Sequence, residues 1–152
     1  MNTILYSEIL DEFDVATTKA ARIAVLRKHG NRDRRFKEFL NYAFNPKVVF
    51  AVPTPLPSYK PALEPAGLTF TNLNAVVEKL YIYVVGHPRR KGKMSDKQTH
   101  DHLITTMESL HASESALLSK MFLQDLGVRF LTMKLCKEAF PDLPFDAPEQ
   151  VS

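Results

Sequence analysis

A chain of 152 residues with 45% hydrophobic and 24% charged residues is long enough for one buried core and too short for two. That composition excludes a disordered or collagen-like chain, and no run approaches the roughly 20 apolar residues that a membrane helix needs. The net charge of +3 is modest and alone a weak argument for a nucleic-acid partner, and the single Cys136 excludes an internal disulfide.

Apolar spacing reads as helix nearly throughout, because residues recurring every three to four positions form one buried stripe. The first helix is predicted over Thr3 to Phe13, with Ile4, Leu5, Ile9 and Leu10 inward. The second starts at Thr17 or Thr18 as cap and runs to His29, where Gly30 is expected to supply a left-handed stop. The third, Asp33 to Phe44, turns Phe36, Phe39, Leu40, Ala43 and Phe44 to one face. Six prolines between Pro46 and Pro65 then forbid a regular helix, so an extended connection is expected, with "KVVFAVP" as a possible short edge strand. Its apolar Val48, Val49, Phe50 and Val52 imply wrapping over the helices rather than a bare linker.

Helix resumes behind Thr71 and is expected to last until Gly86 and Pro88. After the loop "GHPRRKGKM", Ser95 or Asp96 caps a fifth helix reaching Leu110. Ser113 caps a sixth to Gln124, and a seventh runs from about Phe130 to Phe140, where Pro141 ends it. The fold class is therefore all-α: a compact single-domain bundle of six or seven helices over residues 1–152, with an acidic tail at 141–152.

Chemistry for catalysis is missing from the pattern. His100 and His102 are two apart on a helix, so their side chains diverge and cannot share an ion. Cys136 reads as a packed thiol. No G-x-S-x-G elbow, phosphate loop or dinucleotide fingerprint occurs. The expectation is no enzyme, no cofactor and no metal.

Binding is what remains, and the cations are segregated. Eight Lys and Arg lie between Lys19 and Lys37 with Asp33 as the only acid, five more lie between Arg89 and Lys97, and none follows Lys137. Each cluster has two readings: a solvated helix face, or part of a directed electrostatic surface. Three stretches are candidates for phosphate contact: Arg32, Arg34 and Arg35 at a helix start; Arg89, Arg90, Lys91 and Lys93 in a glycine-flanked loop; and Gly127 with Arg129, Thr132, Lys134 and Lys137 at a helix joint. At that joint Gly127 can adopt positive φ, and the bare N–H groups of the next helix would face an anion. A plain helix hairpin with a solvated Arg129 is the competing reading.

Three stretches, "LNYAFNPKVVFAV" (40–52), "GLTFTNLNAVVEKL" (67–80) and "LLSKMFLQDLGVRFLTMKLCKEAFPDLPF" (117–145), resemble the N-terminal DNA-binding domain of the ATP-dependent DNA ligases of T-even-type phages. The resemblance implies a helical, largely sequence-independent grip on the phosphate backbone of duplex DNA, in phage replication or repair. The start "MNTILYSEILDEFD", without the pattern of a secretory signal, and the single cysteine give the expectation of a cytoplasm, the host cytoplasm if phage-encoded. The resemblance places Asp125 and Leu126 at a hinge and Arg129, Thr132, Lys134 and Lys137 near phosphates. The chain departs from the family in putting Gly127 directly after Asp-Leu. It also lacks the K-x-D-G motif of the adenylated lysine, so as given it does not ligate. The alternative from another class is a phage protein-interaction module that reuses the scaffold to engage a replication or host protein. No membrane partner is expected.

Overall fold

The computed structural model describes residues 5–53, 56–60, 62–65, 69, 71–87 and 94–142. Seven α-helices are found among them, with no strand beyond isolated bridges, so the all-α bundle expected from periodicity is what forms.

Helix α1 spans Tyr6–Val15 and buries Tyr6, Ile9, Leu10 and Phe13, a stripe at helical spacing. The Glu8 carboxylate accepts the Leu5 N–H at 2.8 Å and closes its first turn. Helix α2, Lys19–Arg32, begins at Thr18, whose hydroxyl accepts the Ala21 N–H. It does not stop at Gly30. That glycine lies inside the helix and is buried because the Phe140 ring sits on it: an added Cβ would stand 2.3 Å from Phe140 Cζ. Gly30 therefore serves close approach, and the helix ends at Asp33, which caps the next one.

Helix α3, Arg34–Phe44, starts one residue after its expected first residue, because Asp33 is its cap and accepts the Arg35 N–H at 3.0 Å; of the expected stripe Phe36, Phe39, Leu40 and Ala43 are buried and Phe44 partly so. The helix expected to continue to Gly86 is shorter. Helix α4 covers only Leu73–Val77, and a single 3₁₀ turn follows at Leu80–Tyr83. β-branched and aromatic residues from Val76 to Val85 favour extended backbone, and the chain takes it: Val84 bridges Phe50, and the Val85 N–H reaches the Val49 carbonyl at 2.8 Å. The edge strand expected at 47–53 is reduced to that bridge. Of the four apolar residues expected to wrap over the helices, Phe50 and Val52 pack on the core, joined by Leu56 and Tyr59, whereas Val49 is exposed.

Helix α5, Asp96–Glu108, starts at a Ser95 capping box with Gln98. Helix α6, Ala112–Phe122, is capped by His111 rather than Ser113, its Nδ1 accepting the Ser113 N–H at 3.1 Å. Helix α7 is Met133–Ala139. Helix α2 packs against α1, α3 and α7, while α3 and α6 pack on each other. Between them lie Phe13, Leu26, Phe36, Phe39, Leu40, Leu103 and Leu118, all fully buried. Each such side chain contributes about 1.5–3 kcal/mol by leaving water.

Candidate functional site

The segment from Gln124 to Phe140 departs most from its sequence reading. Helix α6 ends at Phe122 in a Schellman motif, where the Asp125 N–H reaches the Lys120 carbonyl and the Gln124 N–H that of Met121. The left-handed residue there is Gln124, φ 54°, held because its side-chain amide donates to the carbonyls of Tyr42 and Asn45 at 3.0 and 2.8 Å. Gly127 is indeed left-handed, φ 66°, and exposed, but it sits in the connecting stretch well before the helix. A third left-handed residue, Phe130 at φ 69°, occupies the third position of a turn closed by Leu131 N–H to Val128 C=O at 3.1 Å. Glycine is the usual residue at that position.

Helix α7 starts only at Met133, not at Phe130, and has seven residues. Its cap is Thr132, whose hydroxyl accepts the Leu135 N–H at 3.1 Å. The bare-amide cradle expected at the joint is therefore corrected: one of its donors is satisfied by Thr132 itself, and so short a helix offers little dipole. Thr132→Ala is expected to cost about 1 kcal/mol of stability in a urea titration, the usual loss of a threonine cap.

Much of the cation segregation in the sequence is cancelled by folding. Lys19 pairs with Glu138 at 2.8 Å, Lys37 with Asp142 at 2.9 Å, and Lys28 and His29 both with Glu12. These partners hold the Glu12 and Asp142 carboxyls below the usual range, chiefly through the Lys28 and Lys37 hydrogen bonds. Arg27 donates to the carbonyls of Glu138 and Ala139 and so closes the C-terminal end of α7. Glu138 and Asp142 thus neutralise one cation each of α2 and α3.

Among the three arginines expected at the α3 start, Arg35 is also committed, to Asp33 at 3.0 Å and Glu78 at 3.3 Å. Asp33, bound as well by the buried Tyr6 hydroxyl, raises the Arg35 pKa above its ordinary value. Arg32 and Arg34 have no ion pair among the described residues, and with Arg35, Lys79 and His87 they line an open groove of about 870 Å³ between the α2–α3 corner and α4. Asp33, Glu38 and Glu78 share that groove, so its excess of positive charge is small. Arg89, Arg90, Lys91 and Lys93 lie outside the described residues.

A second, smaller groove of about 260 Å³ runs between α2 and α7, lined by Lys19, Arg22, Phe130, Thr132, Lys134, Leu135 and Glu138. The Arg22 guanidinium lies over the Phe130 ring at 3.8 Å from its centroid, and that of Arg129 at 4.9 Å. Arg22, Arg129 and Lys134 have no acidic partner among the described residues. The expected DNA-contacting residues thus divide between two sites: Arg32, Arg34 and Arg35 at the C-terminal end of α2, Arg129, Thr132 and Lys134 near its N-terminal end. Lys137 is exposed on α7. Arg22 and Phe130 were not singled out in the sequence, since Arg22 is one of eight similar cations and Phe130 reads as the first residue of a helix.

The histidines part as their spacing requires. His102 meets the Tyr83 hydroxyl, while His100 stands beside Asp101 at 3.4 Å. Among the described residues no three His, Cys, Asp or Glu side chains converge as a metal site would need. Burial pushes the Cys136 thiol up to about 12, far from nucleophilic character at neutral pH. No helix among the described residues is long and apolar enough to cross a membrane.

A family model described as a family of unknown function (DUF6433) matches residues 9–127, well over half of the chain. The chain belongs to this family. No curated protein matches it. The DUF6433 match contains the whole Arg32–His87 groove, whereas the α2–α7 groove takes Lys19 and Arg22 from within the match and Phe130 to Glu138 from beyond it.

Proposed function

We propose that this DUF6433 protein is a non-enzymatic, largely sequence-independent binder of duplex DNA, related to the ligase DNA-binding domain that its three stretches resemble. One observation carries the reading. Arg22, Arg129 and Lys134 stand together at the α2–α7 groove without an acidic partner among the described residues, while Lys19 beside them is neutralised within the fold, as Lys28, Arg35 and Lys37 are elsewhere. Cations that a fold leaves uncompensated side by side repel one another, and a phosphate backbone relieves that repulsion while releasing its counterions. Arg32, Arg34 and Lys79 supply a second, weaker patch.

Salt dependence tests it. Each cation that neutralises a phosphate contributes about 0.9 to the slope of log affinity against log salt. Arg22→Ala, Arg129→Ala and Lys134→Ala combined are expected to flatten the slope for duplex DNA by roughly 2–3, whereas Lys60→Ala with Lys120→Ala, exposed cations away from both grooves, should leave it nearly unchanged. Removing Arg89, Arg90, Lys91 and Lys93 is expected to flatten it as well. Absence of duplex binding at about 50 mM salt would refute the proposal.

A protein-interaction role has its own support in an apolar groove lined by Pro46, Val48, Phe50, Phe122, Val49 and Leu123, the last two 56% and 67% exposed. Capture of a partner from host lysate that survives nuclease treatment favours that role, and loss of every partner with nuclease counts against it.

A further inference from the structure

We infer that Phe130 is a stacking platform for an unpaired base of a single-stranded nucleic-acid segment, with Arg22, Arg129 and Lys134 taking the flanking phosphates. This rests on the nucleic-acid reading above and gives it a substrate class.

The ring is not core. Leu131 and Leu135 beside it are buried and Val128 packs on the core, while Phe130 remains 50% exposed. Its backbone is left-handed at φ 69°, a conformation in which a bulky residue is strained and glycine is not. In that conformation the ring lies at the surface, in the groove with Thr132 and Lys134. Among the described residues the ring's partners are the Arg22 and Arg129 guanidiniums, and half of the residue stays open to a ligand.

What surrounds the ring selects the ligand. Two guanidinium groups lie 3.8 and 4.9 Å from its centroid, Lys134 shares the groove, and Glu138 is held by Lys19. A nucleobase offers a flat π-face to the phenyl ring, and guanidinium planes extend such a stack. The anionic linkages on either side of the base meet the cations. An acidic peptide would satisfy the charges and leave the ring without a planar partner. In intact duplex the base faces are already stacked on one another, so a single projecting ring reaches only an unpaired base, as in a single strand, gap or frayed end.

The test uses the whole chain and fluorescence-anisotropy titrations at about 50 mM salt. The probes are oligo-dT, oligo-rU, an abasic deoxyribose-phosphate chain of the same length, and intact duplex, with polyglutamate as competitor. The wild type is expected to bind oligo-dT roughly 5- to 100-fold more tightly than the abasic chain, the range of one stacked base. Phe130→Ala should bring that ratio to about one, Phe130→Trp should keep it, and both should bind duplex within about twofold of wild type. Equal binding of oligo-rU and oligo-dT assigns the site to either sugar; a preference names one. Thermal unfolding controls for the fold: Phe130→Gly should melt about 2–8 °C above Phe130→Ala, since glycine alone is relaxed at that φ.

If wild type binds duplex but shows no preference for oligo-dT over the abasic chain, the platform falls and the phosphate reading stands. Competition by polyglutamate as effective as by oligo-dT overturns it equally. Failure to bind any of the nucleic-acid probes defeats both.

Discussion

Replacing Glu114 with alanine is expected to destabilise the protein by about 3–5 kcal/mol, a large part of what a domain of this size possesses. Glu114 is fully buried on α6, and its two oxygens accept different helix starts: Oε2 the N–H of Tyr6 at 3.1 Å, Oε1 the N–H of Leu73 at 2.9 Å. Those are the first residues of α1 and α4, so one carboxylate supplies the missing acceptor for two N-termini 67 residues apart in the chain. Alanine strands both donors away from water and leaves a void. Asp14→Ala, an exposed change on α1, should stay within about 0.5 kcal/mol of wild type in the same urea titration. A comparable small loss for Glu114→Ala would show that the two helix starts do not depend on it.

The same residue gives stability a pH signature. Burial raises the Glu114 pKa above the ordinary carboxylate value, against the opposing pull of the Leu73 and Tyr6 N–H groups. In the interval from that ordinary value up to the raised one, the folded state binds more protons than the unfolded chain, so stability falls as pH rises. The contribution of the proton is complete below the interval and gone above it. Glu114→Gln cannot ionise and lacks this fall. The stability of wild type relative to the variant should therefore decline with rising pH across that window, and the carboxylates lowered by Lys28, Lys37 and Lys97 cancel in the comparison. A difference that stays flat with pH would mean that Glu114 is not raised.

Local signals were legible and long-range ones were not. Asp33 before a stripe of phenylalanines announces α3, and Ser95 with Gln98 announces α5, because cap and stripe lie within one or two turns. Glu114 reads as an ordinary surface acid, since its partners are 108 and 41 residues away. Gln124 and Phe130 break the rule that left-handed positions go to glycine: Gln124 for two carbonyls of the α3 end, Phe130 with the two guanidiniums over its ring. The charge clusters fared worst as a guide. Lys19, Lys28 and Lys37 look free in sequence and are each matched by an acid at least 16 positions distant. What identifies the candidate site is the set of cations left over after that pairing: Arg129 and Lys134 stand in one run of the sequence, but Arg22 joins them only through the packing of α2 against α7.

Gly30→Ala separates those two kinds of reading in one measurement. If Gly30 were the stop its sequence context suggests, alanine would disturb only a helix end. Inside α2, propensity alone predicts a gain of about 1 kcal/mol. Steric crowding outweighs that gain: the new Cβ would lie 2.3 and 2.5 Å from the far edge of the Phe140 ring and 3.2 Å from Lys37 Cγ. The Phe140 ring is itself buried and covered by the Lys37 ammonium 5.2 Å from its centroid, so it has little room to retreat without moving α7 from α2. Overpacking of this kind costs about 1–3 kcal/mol, and a net loss of stability is expected. Phe140→Leu in the same chain should recover part of that loss, a coupling of at least about 0.5 kcal/mol in the double-mutant cycle. Because α7 lines the groove that holds Phe130 and Lys134, the single variant should also weaken oligo-dT binding beyond what unfolding explains, and the double variant should restore it.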